Sequence, residues 1–102
     1  MDVIFRIYAV SVMARQLRSP ISGETIYKHY AAIRLCKNIE SVKKEAEELS
    51  FKMFPQAGGW SSHSAVVVPI KRELAEAIHA TIQTGAFVAE PDPEESTQVF
   101  NF

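Results

Sequence analysis

Residues 3–14, Val-Ile-Phe-Arg-Ile-Tyr-Ala-Val-Ser-Val-Met-Ala, decide the fold of this chain. β-Branched and aromatic residues dominate this stretch, and its side chains alternate between two faces, as they do in a β-strand. A loop signal rich in Ser, Pro and Gly follows at residues 17–23. Residues 24–36 then predict a second strand, antiparallel to the first. On this second strand we expect Ala31, Ile33 and Leu35 to face the core and Tyr30, Ala32 and Arg34 to face outward.

The next segment has the pattern of an amphipathic helix. Asn38 is suited to cap its N-terminus, because an Asn side chain accepts from backbone amides that have no partner within the helix. Apolar residues recur with helical spacing from Ile39 to Met53, and Pro55 ends the helix. Residues 64–69, Ser-Ala-Val-Val-Val-Pro, follow as a short strand, and their continuous apolar run predicts that both faces of that strand are covered.

A second helix is predicted from about Ile70 to Thr84. Pro69 suits the first turn of such a helix, and Gly85 suits its C-terminal cap. The element order is then β-β-α-β-α, an α+β two-layer sandwich with a mainly antiparallel sheet and two helices on one face. Three strands leave two free sheet edges, which often pair with another copy, so we expect a homo-oligomer.

We expect residues 1–88 to form a single domain and residues 89–102 to form an acidic, flexible C-terminal tail. Two prolines and four acidic residues resist packing in this tail. The chain then closes on three apolar residues within Val99-Phe100-Asn101-Phe102. Two interpretations stay open: a docking arm for a partner, or a frayed terminus.

Composition and charge narrow the class of function. The chain has 102 residues, 47% of them hydrophobic, and a net charge of −1, which argues against general nucleic-acid binding. Residues 1–37 hold six basic and two acidic side chains, whereas residues 86–102 hold four acidic ones and no basic one. Cys36 is the single cysteine, so no internal disulfide forms, as is usual in a reducing compartment. We find no apolar segment typical of a signal peptide or a membrane span, and we predict a cytoplasmic protein with no membrane partner.

The most suggestive stretch for binding is Gly58-Gly59 with the residues that follow it. Trp60 offers a flat apolar surface on which a base or another ring can stack. Ser61, Ser62 and His63 can hydrogen-bond to phosphate or sugar oxygens. In the alternative interpretation, Trp60 fills the core at a helix-to-strand corner, and the Ser and His side chains only shape the turn.

Two further groups can recognise an anion. Lys71 and Arg72 fall at the start of the predicted second helix, where free backbone amides also attract negative charge. Tyr30 and Arg34 share the predicted outward face of the second strand with Lys28, and Arg6 and Tyr8 join them if the register allows. In the alternative interpretation, these side chains simply extend into water.

Catalytic signals are incomplete. The three histidines and Cys36 do not have the spacing of metal ligands, and no serine or cysteine lies in a nucleophile motif. The glycine pair lacks the pattern of a phosphate-binding loop. We therefore predict no catalytic residue, no metal and no cofactor, and we keep an enzyme only as a third alternative.

The run from Tyr27 to Ile70 resembles small proteins encoded by bacteriophages and mobile elements. The likeness rests on Phe54-Pro55, Gly59-Trp60 and His63-Ser64, which lead into Val66-Val67-Val68-Pro69. One such group, the Thoeris-inhibiting sponges, comprises oligomeric α+β proteins that sequester a cyclic ADP-ribose signal. The resemblance implies a phage-encoded, homo-oligomeric, non-enzymatic protein in the cytoplasm of a bacterial host, which counters host defence by sequestering a small anionic ligand such as a nucleotide second messenger. The alternative is an inhibitor that docks on another protein through the acidic tail and a sheet edge.

Overall fold

A computed structural model describes residues 4–19, 21–70, 87–88 and 96–102 of the chain. These residues form an α+β fold, in which a mainly antiparallel sheet carries a helix on one face. The elements in chain order are β1 (Ile4–Ser19), β2 (Glu24–Cys36), α1 (Ile39–Met53), β3 (Trp60–Ile70), β4 (Phe87–Val88) and β5 (Gln98–Asn101). A single 3₁₀ turn, Gln56–Gly58, lies between α1 and β3.

β1 lies at the centre of the sheet, whose strand order is β2-β1-β3-β5 with all neighbours antiparallel. It pairs with β2 from Arg6 to Ser19 on one side and with β3 from Ile7 to Gln16 on the other. The two-residue β4 runs parallel to the beginning of β1. The predicted antiparallel pairing of the first two strands is confirmed.

Helix α1 begins and ends where the sequence predicts. The Asn38 side chain accepts a hydrogen bond from the backbone N–H of Ser41 at 2.9 Å, which caps the N-terminus. The backbone N–H of Phe54 donates to the carbonyl of Ser50 and closes the last turn before Pro55. The helix buries one stripe of side chains against the sheet: Val42, Ala46, Leu49 and Ser50.

β3 is longer than predicted. It begins at Trp60, so the stretch from Trp60 to His63 belongs to a strand rather than to a loop. Pro69 also lies in β3, opposite Tyr8, and does not begin a helix. It lies beyond Val67, the last residue of β3 that pairs with β5, so its missing N–H interrupts no pairing with that strand. Of the predicted second helix, Ile70 ends β3, and residues 71–84 lie outside the described residues.

The faces of β2 are the reverse of the prediction. Tyr8, Val10, Val12 and Ala14 of β1 are buried beneath α1. Tyr30 pairs with Val12 and Arg34 pairs with Tyr8, so both lie on the helix side of the sheet. Alternation with a period of two separates two faces but does not say which one a helix will cover, and here both faces are apolar. The opposite face of β2 carries the residues that were expected to face the core: Ala31, Ile33 and Leu35.

The C-terminal residues complete the sheet. β5 pairs with β3 from Ser64↔Asn101 to Val67↔Gln98, and Phe100 and Phe102 pack against the main core. The sequence left Val99–Phe102 open between a docking arm and a frayed terminus, and in the structure these residues lie along β3 as an ordered part of the sheet. The reason is that β3 would otherwise present unpaired backbone groups at the edge of the sheet. Residues 89–95 of the predicted tail lie outside the described residues.

Candidate functional site

The two glycines form a tight corner between α1 and β3. Gly59 has φ +85°, a left-handed conformation that favours glycine. A Cβ at Gly58 would lie 3.3 Å from Cδ1 of Trp60, which leaves little room for a side chain. The backbone N–H groups of Gly58 and Gly59 donate to the carbonyls of Pro55 and Gln56 at 2.9 and 3.0 Å. The demands of the turn thus account for both glycines.

Trp60 and His63 both pack inward at this corner. The Trp60 ring is half-buried, and its centroid lies 5.0 Å from that of Phe54. His63 is 3% exposed, stacks on Phe51 with ring centroids 4.2 Å apart, and places Nε2 2.6 Å from the carbonyl oxygen of Phe54. These contacts favour the interpretation in which both rings fill and brace the corner.

Ser61 and Ser62 are exposed beside these two rings. The Ser61 hydroxyl donates to the carbonyl of Arg15 at 3.4 Å, so it is used within the sheet. Ser62 has φ +52°, a left-handed conformation that few residues other than glycine adopt. It lies where the register between β1 and β3 shifts, between Met13 and Arg15, and this irregularity explains its backbone.

The structure does not bring Arg34 and Trp60 together. Arg34 pairs with Tyr8 and Trp60 pairs with Gln16, eight residues further along β1. At about 3.3 Å per residue, the two positions are about 26 Å apart along the strand. Tyr30, opposite Val12, lies midway between them on the same edge strand as Arg34. Lys71 and Arg72, the other two predicted anion contacts, lie outside the described residues.

Arg34 has carboxylates close to it. It lines a small cleft of about 170 Å³ between β2 and α1 together with Glu45, Glu48, Leu49 and Lys52. The two carboxylates balance the charges of Arg34 and Lys52, so the cleft has no net positive charge with which to attract a phosphate. This cleft is therefore a poor site for an anionic ligand.

Cys36 is held as a neutral thiol. It is buried, and its Sγ–H donates to the Glu45 carboxylate. Burial, then the hydrogen bond to Glu45 and the negative charge of Glu45, raise the pKa of the thiol from 9.0 to about 12, although the nearby Arg34 acts in the opposite direction. A thiol of this kind is a weak nucleophile and a weak metal ligand near neutral pH. Within the part of the chain that the structure describes, no three His, Cys, Asp or Glu side chains cluster as metal ligands would.

Sequence reasoning missed the feature that stands out most clearly, which is the sheet face opposite α1. Small and aliphatic side chains of β1, β2 and β3 line a shallow trough of about 410 Å³ there. Among the described elements none packs on this trough, because α1 lies on the other side of the sheet. We define this open face by six residues: Ala9, Ser11, Ala31, Ile33, Val66 and Val68.

At one end, the open face continues into a small buried apolar cluster. Ile7 and Ile70, a cross-strand pair, are buried there and form a second small core cluster with Ala9, Ile33 and Val68. At the centre of the face Ala31 is exposed and Val66 is 39% exposed. One signal pointed to this surface: the apolar run of residues 65–68 predicted a strand covered on both faces. The described residues cover only the helix side.

Comparisons with known proteins give no match: neither a protein family, nor a curated protein, nor a solved structure corresponds to this chain. The resemblance to phage-encoded proteins accordingly rests on the sequence pattern alone. Across the described ranges, none of the helical structure is both long and apolar enough for a membrane crossing.

Proposed function

We propose that this chain is a non-enzymatic binding protein that acts as a homo-oligomer, in which two copies pack their open faces together. The observation that carries the proposal is the apolar trough on the side of the sheet away from α1. Its six residues include no charged side chain, and Ala9, Ser11 and Ala31 at its centre are small. Small residues let two sheets approach to the usual separation of about 10 Å.

The area of the open face supports its use as a contact between two copies. Ile7 to Met13 spans about 20 Å along β1, and the three strands that carry the open face, β1, β2 and β3, span about 14 Å across the sheet. The projected area is therefore about 280 Å², close to the lower end of the range for the largest apolar patches on monomeric proteins, which often bind something. A second copy offers the same uncharged surface, and two-fold association makes it self-complementary.

The state of two reactive residues, Cys36 and His63, supports a binding function over a catalytic one. Cys36 stays protonated well above neutral pH. The buried imidazole of His63 is engaged with Phe54 and Phe51. Neither group is placed to attack a substrate or to relay a proton to one.

The proposal is tested by native mass spectrometry and light scattering. We expect the wild-type chain to assemble at twice its 11.4 kDa mass or a higher multiple. Ala31→Arg introduces a charge at the centre of the open face, and we expect it to yield monomers. Ala57→Arg is the matched control, since Ala57 is exposed in the 3₁₀ turn next to α1, and this variant should assemble like wild type. Circular dichroism checks that both variants are folded.

Two results would overturn self-association. The first is a wild-type chain that stays monomeric at concentrations well above those in cells. The second is an oligomer that survives Ala31→Arg unchanged, because the contact would then lie elsewhere. Loss of assembly in both Ala31→Arg and Ala57→Arg would also count against a specific role for the open face.

A second candidate function is ligand binding in the trough itself, since its volume of about 410 Å³ falls within the range of small-molecule sites. Its apolar lining suits an uncharged, apolar molecule. Sequestration of an anionic nucleotide signal is the more specific hypothesis that the phage resemblance implies. Its proposed contact residues do not converge or lie outside the described ranges. A co-purifying molecule, released by denaturation and identified by its mass, distinguishes the two ligand classes.

The alternative of a protein-interaction inhibitor uses the acidic tail and a sheet edge, and residues 89–95 of that tail lie outside the described residues. Residues 98–101 are already paired with β3, so they are not available as a docking arm in this fold. The outer edge of β2 has no described strand beside it and offers backbone groups for pairing. A pull-down with the full chain, compared with a variant carrying Tyr30→Pro on that edge, tests this alternative.

A further inference from the structure

The hairpin formed by β1 and β2 extends past the rest of the sheet. β3 pairs with β1 only as far as Gln16, whereas the pairing of β1 with β2 continues to Ser19↔Glu24. Ile21, in the turn, is 100% exposed, and Leu17 is 55% exposed. A fully exposed isoleucine at a projecting end leaves its apolar surface in water, and burial of that side chain is favourable wherever a partner is available.

Basic side chains lie directly behind this apolar end. Arg15, Arg18 and Lys28 are all exposed, and Glu24 is the one carboxylate among residues 15–19 and 21–28. Tyr27, opposite Arg15, is 58% exposed and adds an aromatic ring with a polar end. We call the described residues of this end, 15–19 and 21–28, the hairpin tip.

We propose that the hairpin tip inserts into the surface of an anionic lipid bilayer. A bilayer presents anionic phosphates at its surface and hydrocarbon beneath them. The tip carries the apolar Ile21 at its end and basic side chains behind it, so each group can meet the layer that suits it. Ile21 would enter the boundary of the hydrocarbon, while Arg18, three residues away, contacts lipid phosphates. Arg15 lies four residues before Ser19, about 13 Å further back and beyond the Debye length of about 8 Å, so Arg18 contributes most of the attraction to the headgroups.

This proposal departs from the expectation that no membrane takes part. That expectation considered an apolar segment long enough to span a bilayer or to serve as a signal peptide. A hairpin tip requires neither, because a single exposed aliphatic side chain and a few cations give weak, reversible attachment. The sequence alone does not show that the turn with Ile21 projects beyond the sheet, nor that the basic side chains lie directly behind it.

The test is sedimentation of the full chain with lipid vesicles. We expect binding to vesicles that contain phosphatidylserine, weak binding to vesicles of phosphatidylcholine alone, and loss of binding as salt is raised. Ile21→Ser should weaken partitioning at least about tenfold, through loss of apolar burial. Arg18→Ser should weaken it about fivefold, through loss of one cation near the anionic surface.

Two matched controls lie away from the hairpin tip. Met53→Ser removes another exposed apolar side chain, 39% exposed at the end of α1, and Lys44→Ser removes an exposed cation of α1. Both should partition like wild type. The proposal is overturned if the wild-type chain ignores phosphatidylserine vesicles, or if the controls weaken binding as much as the tip variants. It is also overturned if Ile21→Ser alters the oligomer mass and leaves vesicle binding unchanged, since the tip would then be a protein contact.

Discussion

The Nε2 atom of His63 lies 2.6 Å from the carbonyl oxygen of Phe54, the C-cap residue that directly follows α1. Because a carbonyl oxygen can only accept, Nε2 carries the proton of this hydrogen bond. The same imidazole stacks on Phe51 one turn earlier in the helix. His63 therefore ties the end of α1 to β3 across the glycine corner.

We expect His63→Ala to lower the free energy of unfolding by about 2–4 kcal/mol, because it leaves a cavity against Phe51 and removes the donor to Phe54. Urea unfolding followed by circular dichroism measures the change. Ser61→Ala, at an exposed position two residues away, is the control and should stay within about 0.5 kcal/mol of wild type. Equal midpoints for the two variants would show that His63 is not a structural brace.

The sequence predicted those elements whose pattern is local. Asn38, the helical spacing from Ile39 to Met53 and Pro55 define α1, and the alternation of residues 3–14 defines β1. The residues around Trp60 were harder to interpret, because a ring, hydroxyls and an imidazole suit both a ligand site and a packed corner. Distance along β1 separates Arg34 from Trp60, and only the register reveals that separation. The open face escaped prediction for a similar reason: which side α1 covers depends on long-range packing.

Ser50 is a buried residue whose replacement should stabilise the protein. It lies in α1 at 0% exposure, and its hydroxyl has no hydrogen-bond partner in the described structure. Ser50→Ala removes this unsatisfied group and improves helix propensity, so we expect the free energy of unfolding to rise by about 1–2 kcal/mol. Thermal and urea unfolding measure the difference. Glu47→Ala, exposed on the same helix, controls for propensity, and a Ser50→Ala variant less stable than wild type would mean that the hydroxyl has a partner after all.

The raised pKa of Cys36 makes two measurable predictions. Since the folded pKa of about 12 lies above the ordinary 9.0, the folded state holds the proton more tightly than the unfolded state. This contribution to stability is fully present below pH 9 and is lost as pH rises from 9 towards 12. At pH 8 the thiolate fraction in the folded protein is about a thousandfold lower than in the unfolded chain, so a thiol reagent should label the native protein far more slowly.

Substitution of Glu45 tests the cause of the raised pKa of Cys36. It raises the pKa of Cys36 both by accepting its hydrogen bond and by its charge. Glu45→Gln should lower that pKa and accelerate labelling, whereas Glu47→Gln, exposed on the same helix, should leave the labelling rate unchanged. Native labelling as fast as in denaturant would contradict the buried, neutral state of the thiol.

The last strand should contribute to stability through one face only. Phe100 lies opposite Ala65, packs against the main core, and has the Lys43 ammonium 5.3 Å from its ring centroid. Val99, next to it, points the other way and is 64% exposed. We expect Phe100→Ala to cost about 2–3 kcal/mol of unfolding free energy and Val99→Ala less than about 0.5 kcal/mol, measured by urea unfolding. If Phe100→Ala leaves stability unchanged while weakening capture of a protein partner, the C-terminal residues act as a detachable arm and not as a strand of the sheet.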